Sequence, residues 1–220
     1  LNPVLTIGRQ IGETVQLHLG VDKKEAYRRT LEVLEMVKIP APERVAKSYP
    51  FELSGGMRQR VLIAIAMCCN PKLIIADEPT TALDVTVQAQ ILSLLKSLVR
   101  EQGVSLVLIT HDMGIVADIC DRVYVMYAGR VVEQAETFEL FDHPAHPYTR
   151  GLMNAVASLD GDSPLLDTIP GVVPNLLHLP EGCSFSPRCD RCTEACRRAM
   201  PELAEVAPGH LARCINTTEG

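Results

Sequence analysis

From Thr14 to Val37, apolar residues recur at helical spacing (Val15, Leu19, Ala26, Leu31, Leu34, Val37) with a break near Gly20, a pattern that predicts two helices. The prolines of Ile39-Pro40-Ala41-Pro42 end it, and a short helix is expected over Glu43 to Lys47. Leu53-Ser54-Gly55-Gly56 leads into an apolar helix over Arg58 to Cys69. After the Asn70-Pro71 break, Lys72 to Asp77 is a nearly continuous apolar run, as in a parallel strand buried on both faces. An amphipathic helix over Val85 to Gln102, a second such strand over Val104 to Thr110 and a helix over Met113 to Cys120 follow. Arg122 to Glu133 holds two β-rich runs hinged at Ala128-Gly129. Alternating strand and helix predicts an α/β domain with a parallel sheet and right-handed crossovers.

Beyond Phe141 the pattern changes. His143-Pro144-Ala145-His146-Pro147 breaks the chain, one helix is expected near Tyr148 to Val156, and Ser158 to Pro180 has loop character. We place a domain boundary near Leu159, giving domains 1–158 and 159–220.

At 220 residues, 47% hydrophobic and 22% charged, the chain has the make-up of a globular protein with one substantial core. A net charge of -6 gives no broad basic field, so nucleic acid is not expected as a partner. The longest apolar run, Val61 to Cys69, is far short of the roughly 20 residues that cross a bilayer. No secretory signal pattern opens the chain, so cytoplasmic residence is expected. Five of eight cysteines crowd into Cys183 to Cys214, which in a cytosolic chain reads as a metal or cluster site before a disulfide framework.

Three segments carry candidate chemistry. Asp77 and Glu78 end a predicted strand, where open α/β sheets bind ligands; the first acid suits Mg²⁺ and the second suits a water attacking a phosphate. Solvated loop acids are the alternative for this pair taken alone. Ser54, Gly55 and Gly56 open a helix, so their backbone N–H groups are placed to meet an anion, and an ordinary N-cap explains the same residues. His111 follows a predicted strand and reaches the same sheet edge if the two strands are parallel neighbours.

Taken together these segments resemble the motifs of ABC transporter ATPases: Leu53 to Arg60 the signature motif, Leu73 to Glu78 the Walker B strand, Ala82-Leu83-Asp84 the D-loop, and His111 the switch histidine. Glu78 to Thr86, Met126 to Arg130 and His146-Pro147-Tyr148-Thr149 resemble the ATPase subunits of oligopeptide, dipeptide and nickel importers. The resemblance implies a partial P-loop NTPase-type domain, with a helical subdomain over about 12–70, a Walker B, D-loop and switch region over 71–133, and a small cysteine-rich C-terminal lobe. It implies ATP and Mg²⁺ as cofactors, with Asp77 on the metal, and Glu78 and His111 catalytic. Ser54, Gly55, Gly56 and Gln59 then face ATP held by a second ATPase subunit, in a homo- or heterodimer, and Asp84 couples the two sites. Integral membrane permease subunits and, indirectly, an extracytoplasmic binding protein are the further partners implied, with residence on the cytoplasmic face of the membrane. The region from Gln16 to Ser48 matches the part that contacts the permease, and peptides are the expected cargo.

No Gly-x-x-x-x-Gly-Lys-[Ser/Thr] loop and no Q-loop glutamine occur, so an N-terminally truncated subunit inactive by itself is expected. A degenerate, partner-dependent subunit, a metal-binding interaction protein and a non-transport ABC ATPase are the competing readings. Cys183-x5-Cys189-x6-Cys196-x17-Cys214 resembles the family's four-cysteine segment, which implies a [4Fe–4S] cluster or Zn²⁺. Cys192 leaves the choice of four from five open.

Overall fold

The computed structural model describes residues 1–157 and 169–217, arranged as two compact units, Leu1–His111 and Asp112–Gly220. The domain boundary expected at Leu159 lies outside the described residues.

The first unit opens with helices α1 (Ile7–Leu19), α2 (Lys23–Met36), α3 (Pro42–Lys47) and α4 (Gly55–Met67). Ile7, Ile11 and Val15 of α1 stand four residues apart, so they share one face, and all three are fully buried. This helix begins seven residues before Thr14, because its apolar stripe runs through Gly8 and Gly12, residues that mark breaks when only sequence is read. The Asp22 carboxylate caps α2 by accepting from the Glu25 N–H at 2.8 Å. Arg60 of α4 donates to the Val37 carbonyl at 2.9 Å, satisfying a carbonyl at the end of α2.

Strand β1 (Leu73–Asp77), helix α5 (Val85–Gln102) and strand β2 (Ser105–Ile109) complete this unit, with β1 and β2 parallel and Asp77 opposite Ile109. Ile91, Leu94, Leu95 and Leu98 of α5 join Ile74 in the core. The strands are not buried on both faces as their composition predicts. Ile74 and Ala76 turn inward, whereas Ile75 is 66% exposed and Leu73, Val107 and Ile109 are nearly half exposed. Among the described residues the sheet has two strands and apolar cover on one face, so the period-2 geometry of a strand leaves the alternate side chains open.

The second unit holds α6 (Met113–Ile119), the hairpin β3 (Arg122–Tyr127) and β4 (Arg130–Glu136), helices α7 (Thr137–Asp142), α8 (Pro147–Ala157) and α9 (Glu194–Arg198), and short strands β5 (Ala204–Ala207) and β6 (His210–Ala212). Its sheet is antiparallel in the order β3-β4-β6-β5, so among the described residues parallel pairing is confined to the first unit. The expected hinge is the hairpin turn, with Ala128 and Gly129 both at positive φ, the geometry that suits the twist of paired strands. Tyr127, Tyr148 and Phe185 pack with ring centroids 4.7 to 5.5 Å apart and centre the core. No helix among the described residues is long and apolar enough to cross a membrane.

Candidate functional site

The parallel register places the ends of β1 and β2 side by side, and the Glu78 N–H donates to the Ile109 carbonyl at 2.9 Å. Two residues further on, His111 meets the carboxylate, with Nδ1 3.2 Å from Glu78 Oε1. The Thr81 hydroxyl donates to the other oxygen, Oε2, at 2.8 Å. Glu78 has φ of 44° and Ala82 φ of 62°, left-handed conformations that L residues avoid and that cost on the order of 1–3 kcal/mol each. Strain of this kind turns the chain sharply, so that Thr81 folds back onto Glu78. Hydrogen bonds from Thr81 and then His111 hold the Glu78 carboxyl below the usual carboxylate range, against a weaker opposing effect of burial. Asp77, Glu78 and His111 are all exposed at this edge, open to a ligand.

Ser54 ends the approach to α4 as its N-cap, and its Oγ accepts from the Met57 N–H at 3.3 Å. Ser54 and Gly55 remain exposed, so the first-turn N–H groups face outward. Gly56 has a packing reason to be glycine: an added Cβ would stand 2.6 Å from Val87 Cγ1 on α5. Asp84 caps α5, accepting from the Val87 N–H at 2.9 Å. The start of α4 therefore packs directly against the start of α5, next to the segment that carries Glu78. Gln59 lies half-buried on α4. Thr81 was not singled out from sequence; its place three residues after the acid, in a turn, is the signal that finds it.

The second unit gathers the C-terminal cysteines. Cys183, Cys189, Cys196 and Cys214 line one small cavity together with His146 and Asn216, and all eight cysteines are free of disulfides. Cys192 does not line it; its thiol is turned toward the Thr193 carbonyl. Burial pushes the Cys189 thiol up to about 11 and raises those of Cys183 and Cys214, with neighbouring sulfurs adding to each rise. Gly182 starts this segment tightly, since a Cβ there would fall 2.2 Å from the Cys196 carbonyl oxygen. As the side chains stand, no group of three or more His, Cys, Asp or Glu among the described residues is disposed to hold a metal ion. The donor set is nevertheless four thiols around one space, the chemistry of zinc and iron–sulfur sites.

Sequence reading also passed over the Glu133 carboxylate, which is fully buried. It accepts from the backbone N–H groups of Ala145 (2.6 Å) and His146 (2.9 Å) and from His210 Nε2 (2.7 Å). Burial lowers His146 to about 4, so its ring is neutral, and Nδ1 accepts from the Tyr148 N–H at 3.0 Å.

Comparison with known proteins follows the same division. Residues 1–81 match the family described as ABC transporter, and residues 132–196 match the oligopeptide/dipeptide transporter C-terminal region. The chain is 55% identical to the oligopeptide transport ATP-binding protein OppD of Haemophilus influenzae, over all of its own length and 68% of that protein. It is 52% identical to OppD of Salmonella typhimurium, over all of its own length and 65% of that one. Among solved structures, a dimeric post-hydrolysis state of the ATP-binding cassette MJ0796 bound to ADP and Pi is 35% identical, with a TM-score of 0.54 over 62% of this chain and 59% of that one. With the signature-type helix start, the strand-end acids and the histidine beside them in one unit, and the transporter C-terminal region in the other, the chain belongs to the ABC transporter ATP-binding proteins of the oligopeptide/dipeptide family.

Proposed function

We propose that the chain works as part of an ATP-hydrolysing subunit that energises peptide import through an ABC-type permease. One observation carries this reading: the exposed Glu78 carboxylate at the end of β1, gripped by Thr81 on one oxygen and His111 on the other. An acid kept ionised and aimed in this way is suited to orient a water for in-line attack on a γ-phosphoryl group and to accept its proton. His111, beside it, is placed to contact the transferring phosphoryl oxygens. Asp77 is the residue to hold Mg²⁺, which supplies charge neutralisation on the phosphates when bound. The open N–H groups of Ser54, Gly55 and Gly56, with Gln59, then face a nucleotide held mainly by a second ATPase subunit. Asp84, capping the helix that packs against Gly56, links that contact to Glu78.

The 220 residues contain no Gly-x-x-x-x-Gly-Lys-[Ser/Thr] cradle, so tight nucleotide binding requires a phosphate loop from elsewhere. We place the permease on the region from Gln16 to Ser48, on the cytoplasmic side of the membrane; its Leu17, 79% exposed, borders a groove of mixed apolar and polar lining that also includes Glu13, Thr14 and His18. An extracytoplasmic binding protein delivers the peptide to that permease. Cys183, Cys189, Cys196 and Cys214 would serve as the ligands of a structural metal centre, a [4Fe–4S] cluster or Zn²⁺, which would supply a cross-link to the C-terminal region when bound.

The test is a chimera that joins the amino-terminal segment of the Haemophilus influenzae relative to this chain. It is expected to hydrolyse ATP, while this chain alone does not, and Glu78→Gln in the chimera should lower turnover by about 10²- to 10⁴-fold with ATP binding retained. Undiminished turnover in the Glu78→Gln chimera overturns the assignment.

A further inference from the structure

Two of the four sulfurs around the C-terminal cavity have a hydrogen-bond donor from one residue, Asn216. Its backbone N–H points back at Cys214, two residues earlier, while the Ser186 N–H near Cys183 is taken by the Cys183 carbonyl at 2.9 Å. The Asn216 bond measures 3.3 Å to Cys214 Sγ. At Cys196, inside helix α9, the donor is instead a side chain: Asn216 Nδ2 lies 3.5 Å from Cys196 Sγ. That amide is fixed in place, because the same Nδ2 donates to the Arg191 carbonyl at 2.9 Å and approaches Thr193 Oγ1 at 3.5 Å. Thr193 Oγ1 in turn stands 3.3 Å from Cys196 Sγ.

One residue thus reaches two of the four sulfurs, from its backbone and from its side chain, and ties the third cysteine of the set to the fourth. Around one small cavity this matters electrically. Four thiolates gathered there repel one another, so holding them together needs a cation and donors that draw charge off the sulfurs. We infer that Asn216 is a positioning residue of the metal centre, orienting Cys196 and Cys214 and setting how much electron density their sulfurs donate to the metal. This rests on the four-cysteine reading above. It adds a residue outside the cysteine pattern and gives it a separable effect, since hydrogen bonds to ligand sulfurs are a main control on the potential of iron–sulfur centres.

The experiment uses the full chain, reduced and handled without oxygen, loaded with ferrous iron and sulfide in one sample and with Co²⁺ in another. The parent is expected to show thiolate-to-metal charge-transfer absorption with at least one of them. Asn216→Ala keeps the backbone N–H and loses the amide, and Asn216→Asp keeps the shape and loses the donor. Both should still load, with the band moved to longer wavelength because the Cys196 sulfur becomes the stronger donor. In the iron–sulfur form the midpoint potential should fall by the equivalent of a tenfold shift in the one-electron equilibrium, about 59 mV. Asn216→Gln retains an amide N–H and should return both values toward the parent. A role in folding alone would reduce the amount of centre formed and leave its band and potential unmoved. Variants that load with the parent's band and potential overturn the inference while leaving the cysteine reading intact. A parent that takes up neither metal overturns both. Should Asn216→Ala and Asn216→Asp fail to load, a parent-like band and potential in Thr193→Val, which removes the hydroxyl beside both Asn216 Nδ2 and Cys196 Sγ, would overturn a tuning role for these contacts.

Discussion

Glu78 and Glu133 each face a histidine, at 3.2 Å and 2.7 Å, but the two pairs live in different media. The His111 and Glu78 side chains are 82% and 46% exposed; those of His210 and Glu133 are 2% and 0% exposed. Water screens the first pair and competes for both partners, so the contact contributes little to stability and either group can exchange it for a ligand. The second pair has left water altogether, and three donors converge on its carboxyl group in place of water. The same residue types therefore make a solvent-open edge in one unit and a structural clamp in the other. What separates them is burial and the count of donors.

The contrast is broken most severely at Glu133. Substitution Glu133→Ala leaves the N–H groups of Ala145 and His146 and the His210 ring buried without their acceptor, and the second unit should lose about 3–5 kcal/mol. Urea unfolding followed by near-ultraviolet circular dichroism, to which the packed Tyr127 and Tyr148 contribute, measures it. A loss below about 1 kcal/mol would mean that water reaches this carboxylate after all.

A somewhat smaller effect comes from pH. His146, held at about 4 by burial, is neutral in the folded chain and near 6.5 when unfolded, so between those values the unfolded state binds the extra proton. Stability is thus complete above 6.5 and declines as pH falls toward 4, by about 3 kcal/mol for this one group. Unfolding midpoints at pH 7 and pH 5 should separate accordingly, and His146→Phe should narrow the gap. An unchanged gap in that variant assigns the acid sensitivity elsewhere.

The two regions also differ in how far they can be read from sequence. Ser54 to Gly56, Asp77, Glu78 and His111 sit in short contiguous motifs, and one parallel register is enough to bring Glu78 to His111. Glu133 and His210 are 77 positions apart, on strands too short for β6 to register as an apolar run, so only the antiparallel pairing of β4 with β6 shows that they meet. Asn216 is invisible for the same reason, since its partner Cys196 lies 20 positions away on another element. The apolar runs at Leu73 to Asp77 and Ser105 to Ile109 marked strands correctly but overstated their burial, because composition records what a strand is made of and not which faces are covered. The cysteine count marked a cluster, and the cavity separates Cys192 from the other four.

The smallest expected effect tests whether the exposed edge is tuned by hydrogen bonds or by charge. Glu78 titrates below its ordinary value of 4.5, chiefly through the Thr81 hydroxyl and next through His111. A carboxylate lowered in the folded state contributes stability above its unfolded value and loses that contribution as pH falls through the folded one. Because the group is open to water, that contribution is small, and the informative quantity is the titration itself, read by carbon NMR of the Glu78 carboxyl. Thr81→Val should move it up toward 4.5 and leave it slightly lowered by His111. His111→Ala should move it up by less, because the larger hydrogen bond survives. The reverse order would mean that the His111 contact dominates. With the expected order, the Thr81 hydroxyl is what chiefly keeps the acid ionised and aimed, as the role proposed for Glu78 requires.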